Sequence, residues 1–157
     1  TGKNIRLGIS LTELYRELAT YPVKGAYVFL DACFSGGYKS AAPLLAQKGV
    51  RVVPKVGLPQ GKTLSFSSSS GDQTSSVYHD KKQGYYTYFL IKTIKDARGD
   101  LSMKDLFERT SAAVKKATAM IGKMQEPQCM VSPTWFGWES LRLETPVEPA
   151  PVAPQGE

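Results

Sequence analysis

Cys33 stands two residues after Asp31 and just ahead of the glycine pair Gly36-Gly37, where the apolar run from Ala26 to Ala32 gives out. A thiol can attack a carbonyl carbon and hold an acyl group as a thioester, provided that a base or cation makes it a thiolate. Glycines beside it let a substrate backbone come close and leave amide N–H groups free to stabilise an oxyanion. In open α/β sheets, reactive groups gather beyond the carboxyl ends of the strands, and Cys33 occupies such an end. The plainer reading is a small residue that closes a buried strand, and strand-then-turn spacing alone leaves both open.

Asp31 bears on substrate choice rather than on activation. Its negative charge raises the pKa of a neighbouring thiol, and no cation adjoins Cys33 in sequence, which argues against a redox-sensing thiolate. A carboxylate at a pocket floor instead selects Lys or Arg before the scissile bond through a charge-assisted pair. Asp72, in a polar loop further on, is a second candidate for that pocket. The alternatives are a carboxylate capping loop amides for Asp31 and a turn former beside Gly71 for Asp72.

Two cysteines and one histidine are too few for a disulfide framework or a zinc site. Cys129, followed by Met130 and Val131, reads as an ordinary buried thiol, and His79 reads as an exposed loop histidine.

The elements that must position these groups follow from patterning. Ser10 and Glu13 form a capping box, Ile9 and Leu14 a hydrophobic staple, and Leu11, Leu14, Tyr15 and Leu18 one helix face. Residues 26 to 32 read as a strand buried on both faces, and residues 62 to 68 as a second core strand carrying Leu64 and Phe66. The segment 49 to 61 has room for a short strand or hairpin that Pro54 and Pro59 keep from a sheet centre. Residues 69 to 84 read as a polar loop. Two helices follow, one with Tyr86, Phe89, Leu90, Thr93 and Ile94 on its apolar face. The other starts at Ser102 and Asp105 and carries Leu106, Phe107, Thr110, Val114 and Ala117. A last strand is expected within residues 129 to 143. From residue 145 the chain is a proline-rich linker or tail, leaving residues 1 to 144 as one domain.

Alternating strands and helices predict an α/β fold with a mostly parallel sheet. The apolar 26-to-32 strand calls for neighbours on both edges, and only residues 62 to 68 offer an obvious one. The expectation is the C-terminal half of a larger sheet. A net charge of +6 is scattered, with Lys81-Lys82 and Lys115-Lys116 as the only pairs and no interleaved aromatic platform, so nucleic acid is not an expected partner. No run of about 18 apolar residues offers a membrane span; a soluble protein of the cytoplasm or periplasm is expected.

The segment "LDACFSGG", residues 30 to 37, resembles the nucleophile motif of caspase-like cysteine peptidases, in the metacaspase-like and bacterial caspase-domain branch. "SGDQTS" at 70 to 75, "GYYTYFLIKTI" at 84 to 94 and "QEPQ" at 125 to 128 resemble further family segments, in the same order. The likeness runs over about residues 1 to 143. It implies a caspase-like three-layer sandwich and a thiol protease in which Cys33 is the nucleophile of a Cys-His dyad, with Gly36 and Gly37 at the backbone approach. It also implies proteolytic processing, a dyad histidine upstream of Thr1, association with the protein's own N-terminal fragment, and Asp31 as the carboxylate that prefers basic residues. The family's calcium ligand seven residues past the nucleophile is replaced here by Ser40, so no metal or cofactor is expected. A catalytically inactive caspase-like module that binds partners is the alternative.

Overall fold

The computed structural model describes residues 10–32, 57–70 and 75–143. Helix α1 spans Leu11–Thr20 and strand β1 Ala26–Leu30. Strand β2 is Thr63–Ser67, and Val77–Tyr78 (β3) with Gln83–Gly84 (β4) form a small antiparallel hairpin. Helices α2, Tyr85–Asp96, and α3, Met103–Ala119, precede strand β5, Gln128–Val131.

The sheet is three-stranded, in the order β1-β2-β5. β1 runs parallel to β2, setting Tyr27 against Leu64 and Phe29 against Phe66, whereas β5 runs antiparallel to β2 and sets Cys129 against Phe66. Successive side chains of a strand point to opposite faces, and the two faces of β2 take different cover. Leu64 and Phe66 join Tyr86 of α2 and Met103, Leu106 and Val114 of α3 in one core cluster. On the other face the buried Tyr15 of α1 donates its hydroxyl hydrogen to Ser65 Oγ at 2.8 Å. Helix, sheet and helix pair therefore form three layers.

Both predicted caps are present. Ser10 Oγ accepts from Glu13 N at 3.1 Å while the Glu13 carboxylate accepts from Ser10 N, and Ser102 Oγ accepts from Asp105 N at 3.1 Å. Each cap is worth about 1 kcal/mol to its helix. The buried stripe of α3 is Met103, Leu106, Thr110, Val114 and Thr118, with Phe107 half-buried against Phe66 at 5.1 Å between ring centroids. Ala117 is only half-buried, because the stripe continues through Thr118.

Two expectations need correction. β1 is not buried on both faces: Tyr27 and Phe29 remain 36% and 37% exposed. The strand lies at the edge of the described sheet, and Phe29 meets Phe66 edge-on at 5.5 Å. The described sheet has one parallel and one antiparallel pair, β5 returning antiparallel after α3, and with its helices fits the expected α/β fold. The polar loop from residue 69 contains the β3–β4 hairpin, whose two-residue strands are too short to show any period. Ile9, most of the segment 49 to 61 and the tail from 144 onward lie outside the described residues.

Candidate functional site

Strand β1 delivers Asp31 just past its last residue, beside the N-terminus of α2. The first turn of a helix has N–H groups without intrahelical partners, normally satisfied by a side chain at the N-cap. Here the N-cap is Gly84, which has none to offer, and the first turn of α2 carries no acidic residue. Asp31 supplies both. Its Oδ2 accepts from Thr87 N at 3.2 Å and from Thr87 Oγ1 at 2.6 Å, and its Oδ1 accepts from Ser75 Oγ at 2.5 Å. The negative charge also complements the positive end of the helix dipole.

Gly84 makes this approach sterically possible, since a Cβ at that position would collide with the Asp31 carboxylate. Next along the chain, Ala32 is held by its carbonyl, which accepts from Ser68 Oγ at 3.3 Å, while Ser68 N donates to Leu30 O at 2.8 Å. Both residues immediately before Cys33 are thus fastened, one by its side chain and one by its backbone.

Asp31 differs electrostatically from the ion-paired acidic side chains of the described residues. Asp96 pairs with Lys92, Asp100 with Arg142, Glu108 with Lys104 and Glu126 with Lys115. Among the described residues Asp31 has hydroxyl and amide partners and no ion pair, and it is exposed. Hydrogen bonds from neutral donors fix the direction of a carboxylate without cancelling its charge. Three donors occupy most of its about four lone-pair sites and leave one for an incoming cation. Tyr86, buried next to Thr87, has its phenol pushed up by burial and then by the Asp31 charge, so it stays protonated.

The other sequence candidates are distributed as follows. Cys33, Gly36, Gly37, Ser40 and Asp72 lie outside the described residues. His79 is exposed on the single 3-10 turn His79–Lys81 at the tip of the β3–β4 hairpin. The Cys129 thiol is pushed up to about 11 by burial and by Glu139, which keeps it protonated and unreactive at neutral pH. Among the described residues no group of three or more His, Cys, Asp and Glu side chains converges to hold a metal ion. No helix there is long and apolar enough to cross a membrane.

Sequence reasoning singled out Asp31 but not Ser75, Gly84 or Thr87. A signal was present nonetheless: Ser75 lies in "SGDQTS", and Gly84 and Thr87 lie in "GYYTYFLIKTI". These two segments, remote from it in sequence, converge on the carboxylate two residues before Cys33.

A family model described as the caspase domain matches residues 3–134, most of the chain and all of the cradle around Asp31. No curated protein matches the chain.

Proposed function

This chain belongs to the caspase-domain family of cysteine peptidases, and from that premise we propose that it forms the catalytic part of a thiol endopeptidase cleaving after Arg or Lys. The observation that carries the specificity is Asp31, an exposed carboxylate oriented by Ser75 and Thr87 with no cation on it among the described residues. A guanidinium or ammonium group before the scissile bond supplies the missing charge, and a hydrogen bond to a charged group is worth about 1.5–3 kcal/mol. Asp72 is the second acidic group assigned to that pocket.

In the proposed reaction the Cys33 thiolate attacks the carbonyl carbon of the scissile peptide. The oxyanion is assigned to backbone N–H groups at Gly36 and Gly37. The C–N bond then breaks, a histidinium gives its proton to the leaving amine, and the acyl group remains on sulfur as a thioester. Water adds with the same imidazole as base, releasing the carboxylate product and regenerating the thiol. The histidine is assigned to a segment N-terminal to this chain, because His79 sits on an exposed hairpin tip. The same segment is assigned the strand that would pair with the edge of β1 unpaired among the described residues, as an N-terminal fragment associating with this one. No metal is needed for any step.

The test uses the full-length protein and fluorogenic peptides differing only in the residue before the scissile bond. Arg and Lys peptides are expected to be cut, Asp peptides not, and Cys33→Ala should abolish cleavage. Cleavage after Asp alone would sink the pocket assignment. Absence of any cleavage by a histidine-containing protein would favour an inactive interaction module.

A further inference from the structure

Gln125 lies outside the nucleophile motif and far from it in sequence, yet it closes a ring of bonds around the residues that precede Cys33. Its side chain is 1% exposed, and both ends of the amide are used. Gln125 Oε1 accepts from Ser76 N at 2.9 Å, and Gln125 Nε2 donates to Ser68 O at 3.0 Å. Ser76 follows Ser75, whose hydroxyl donates to Asp31 Oδ1 at 2.5 Å, and Ser68 Oγ donates to Ala32 O at 3.3 Å. The circuit runs from the Asp31 carboxylate through Ser75, Ser76, Gln125 and Ser68 to the Ala32 carbonyl, and back along the chain. The carbonyl of Ser76 also accepts from Tyr85 N at 3.0 Å, tying the first turn of α2 to the same point.

We propose that Gln125 is a specificity-determining positioning residue: by clamping Ser76 to Ser68 it holds the Ser75 hydroxyl against Asp31 and aims the carboxylate at the basic side chain of the substrate. The proposal rests on the reading of Asp31 as the carboxylate that recognises Arg or Lys. An uncharged amide suits this clamp, because one end must accept an N–H and the other must donate to a carbonyl. A hydrophobic residue of the same size fills the space and leaves a buried N–H and a buried carbonyl without partners, so the segment carrying Ser75 is no longer held.

The experiment compares Arg with citrulline, its neutral near-isostere, before the scissile bond in the full-length protein. The ratio of kcat/KM values reports the use of the Asp31 charge, and a general loss of activity cancels from it. Gln125→Met is expected to lower the ratio about 10-fold and Ser75→Ala by a similar factor. In the double variant the two effects should overlap rather than multiply to about 100-fold, as residues acting in one chain do. Multiplicative effects, or an unchanged ratio in Gln125→Met, would overturn the proposal. Should Gln125→Met fail to fold, Gln125→Asn keeps a neutral amide that is one methylene too short to span Ser76 and Ser68, and makes the same comparison.

A substrate-free measurement separates this inference from the one beneath it. Hydrogen exchange at the Thr87 amide, which donates to Asp31, should accelerate several-fold in Gln125→Met while amides in the middle of α2 keep their rates. Unchanged Thr87 exchange would refute the positioning role. Accelerated exchange with an Arg-to-citrulline ratio that Asp31→Asn leaves untouched would refute only the assignment of Asp31 to the pocket.

Discussion

Asp31 caps helix α2 from the end of another element: its Oδ2 lies 3.2 Å from Thr87 N and 2.6 Å from Thr87 Oγ1. The carboxylate thereby joins the strand that leads into Cys33 to the helix that covers the sheet. A structural cap and a recognition group are compatible in one side chain, because the cap engages neutral donors and leaves the charge uncancelled. The two roles make different demands on substitutions, which separates them experimentally.

Asp31→Asn keeps the shape and an acceptor for Thr87 N but removes the charge. Cleavage after Arg is expected to fall about 10- to 150-fold, matching the roughly 1.5–3 kcal/mol of a charge-assisted bond. Stability in a urea melt should change by no more than about 1 kcal/mol, since Asn also caps well. An activity loss that merely follows a large loss of stability would leave Asp31 as a cap only.

Thr87→Val removes the hydroxyl donor and retains the backbone one. A hydrogen bond to a charged group is lost, so stability should fall by about 1–2 kcal/mol. Selectivity for Arg over citrulline should fall with it. Thr87→Ser should restore both, because the Oγ donor returns.

Gly84→Ala places a Cβ against the Asp31 carboxylate. The expected cost is about 1–3 kcal/mol from overpacking, with loss of the preference for basic residues. Gly122→Ala is the control. Gly122 has φ +68 with nothing within 4 Å of its would-be Cβ, so strain of about 1–2 kcal/mol should appear without any change in specificity. Equal effects of the two substitutions on specificity would contradict the steric account.

The Cys129 thiol, pushed up from its ordinary 9.0 to about 11 by burial and then by Glu139, has two consequences. Near neutral pH an alkylating reagent should modify Cys33 and spare Cys129, as mass spectrometry of the tryptic peptides will show. Stability should also decline between about pH 9 and 11, because there the unfolded chain releases the thiol proton while the folded chain retains it. Tyr86, shifted in the same direction, adds to the decline at higher pH. Cys129→Ala should flatten the alkaline slope, measured by chemical denaturation across that range.

Local signals are the legible part of this sequence. The capping box of α1, the N-cap of α3, most of their apolar stripes, the core positions Leu64 and Phe66, and the cysteine beyond the first strand all depend on spacings of a few residues, which the backbone period converts directly into faces and ends. The sequence by itself also placed a carboxylate two residues before a thiol. It could not say what that carboxylate touches, because its partners Ser75 and Thr87 lie 44 and 56 residues away. Gln125 reaches Ser76 across 49 residues and Ser68 across 57. No periodicity encodes contacts at such separations. They exist because parallel pairing of β1 with β2 brings Asp31 and Ser68 to the same end of the sheet, and because α2 begins there. The tertiary structure alone decided how Asp31 is held, since only a folded sheet assembles donors from two remote segments around one charge.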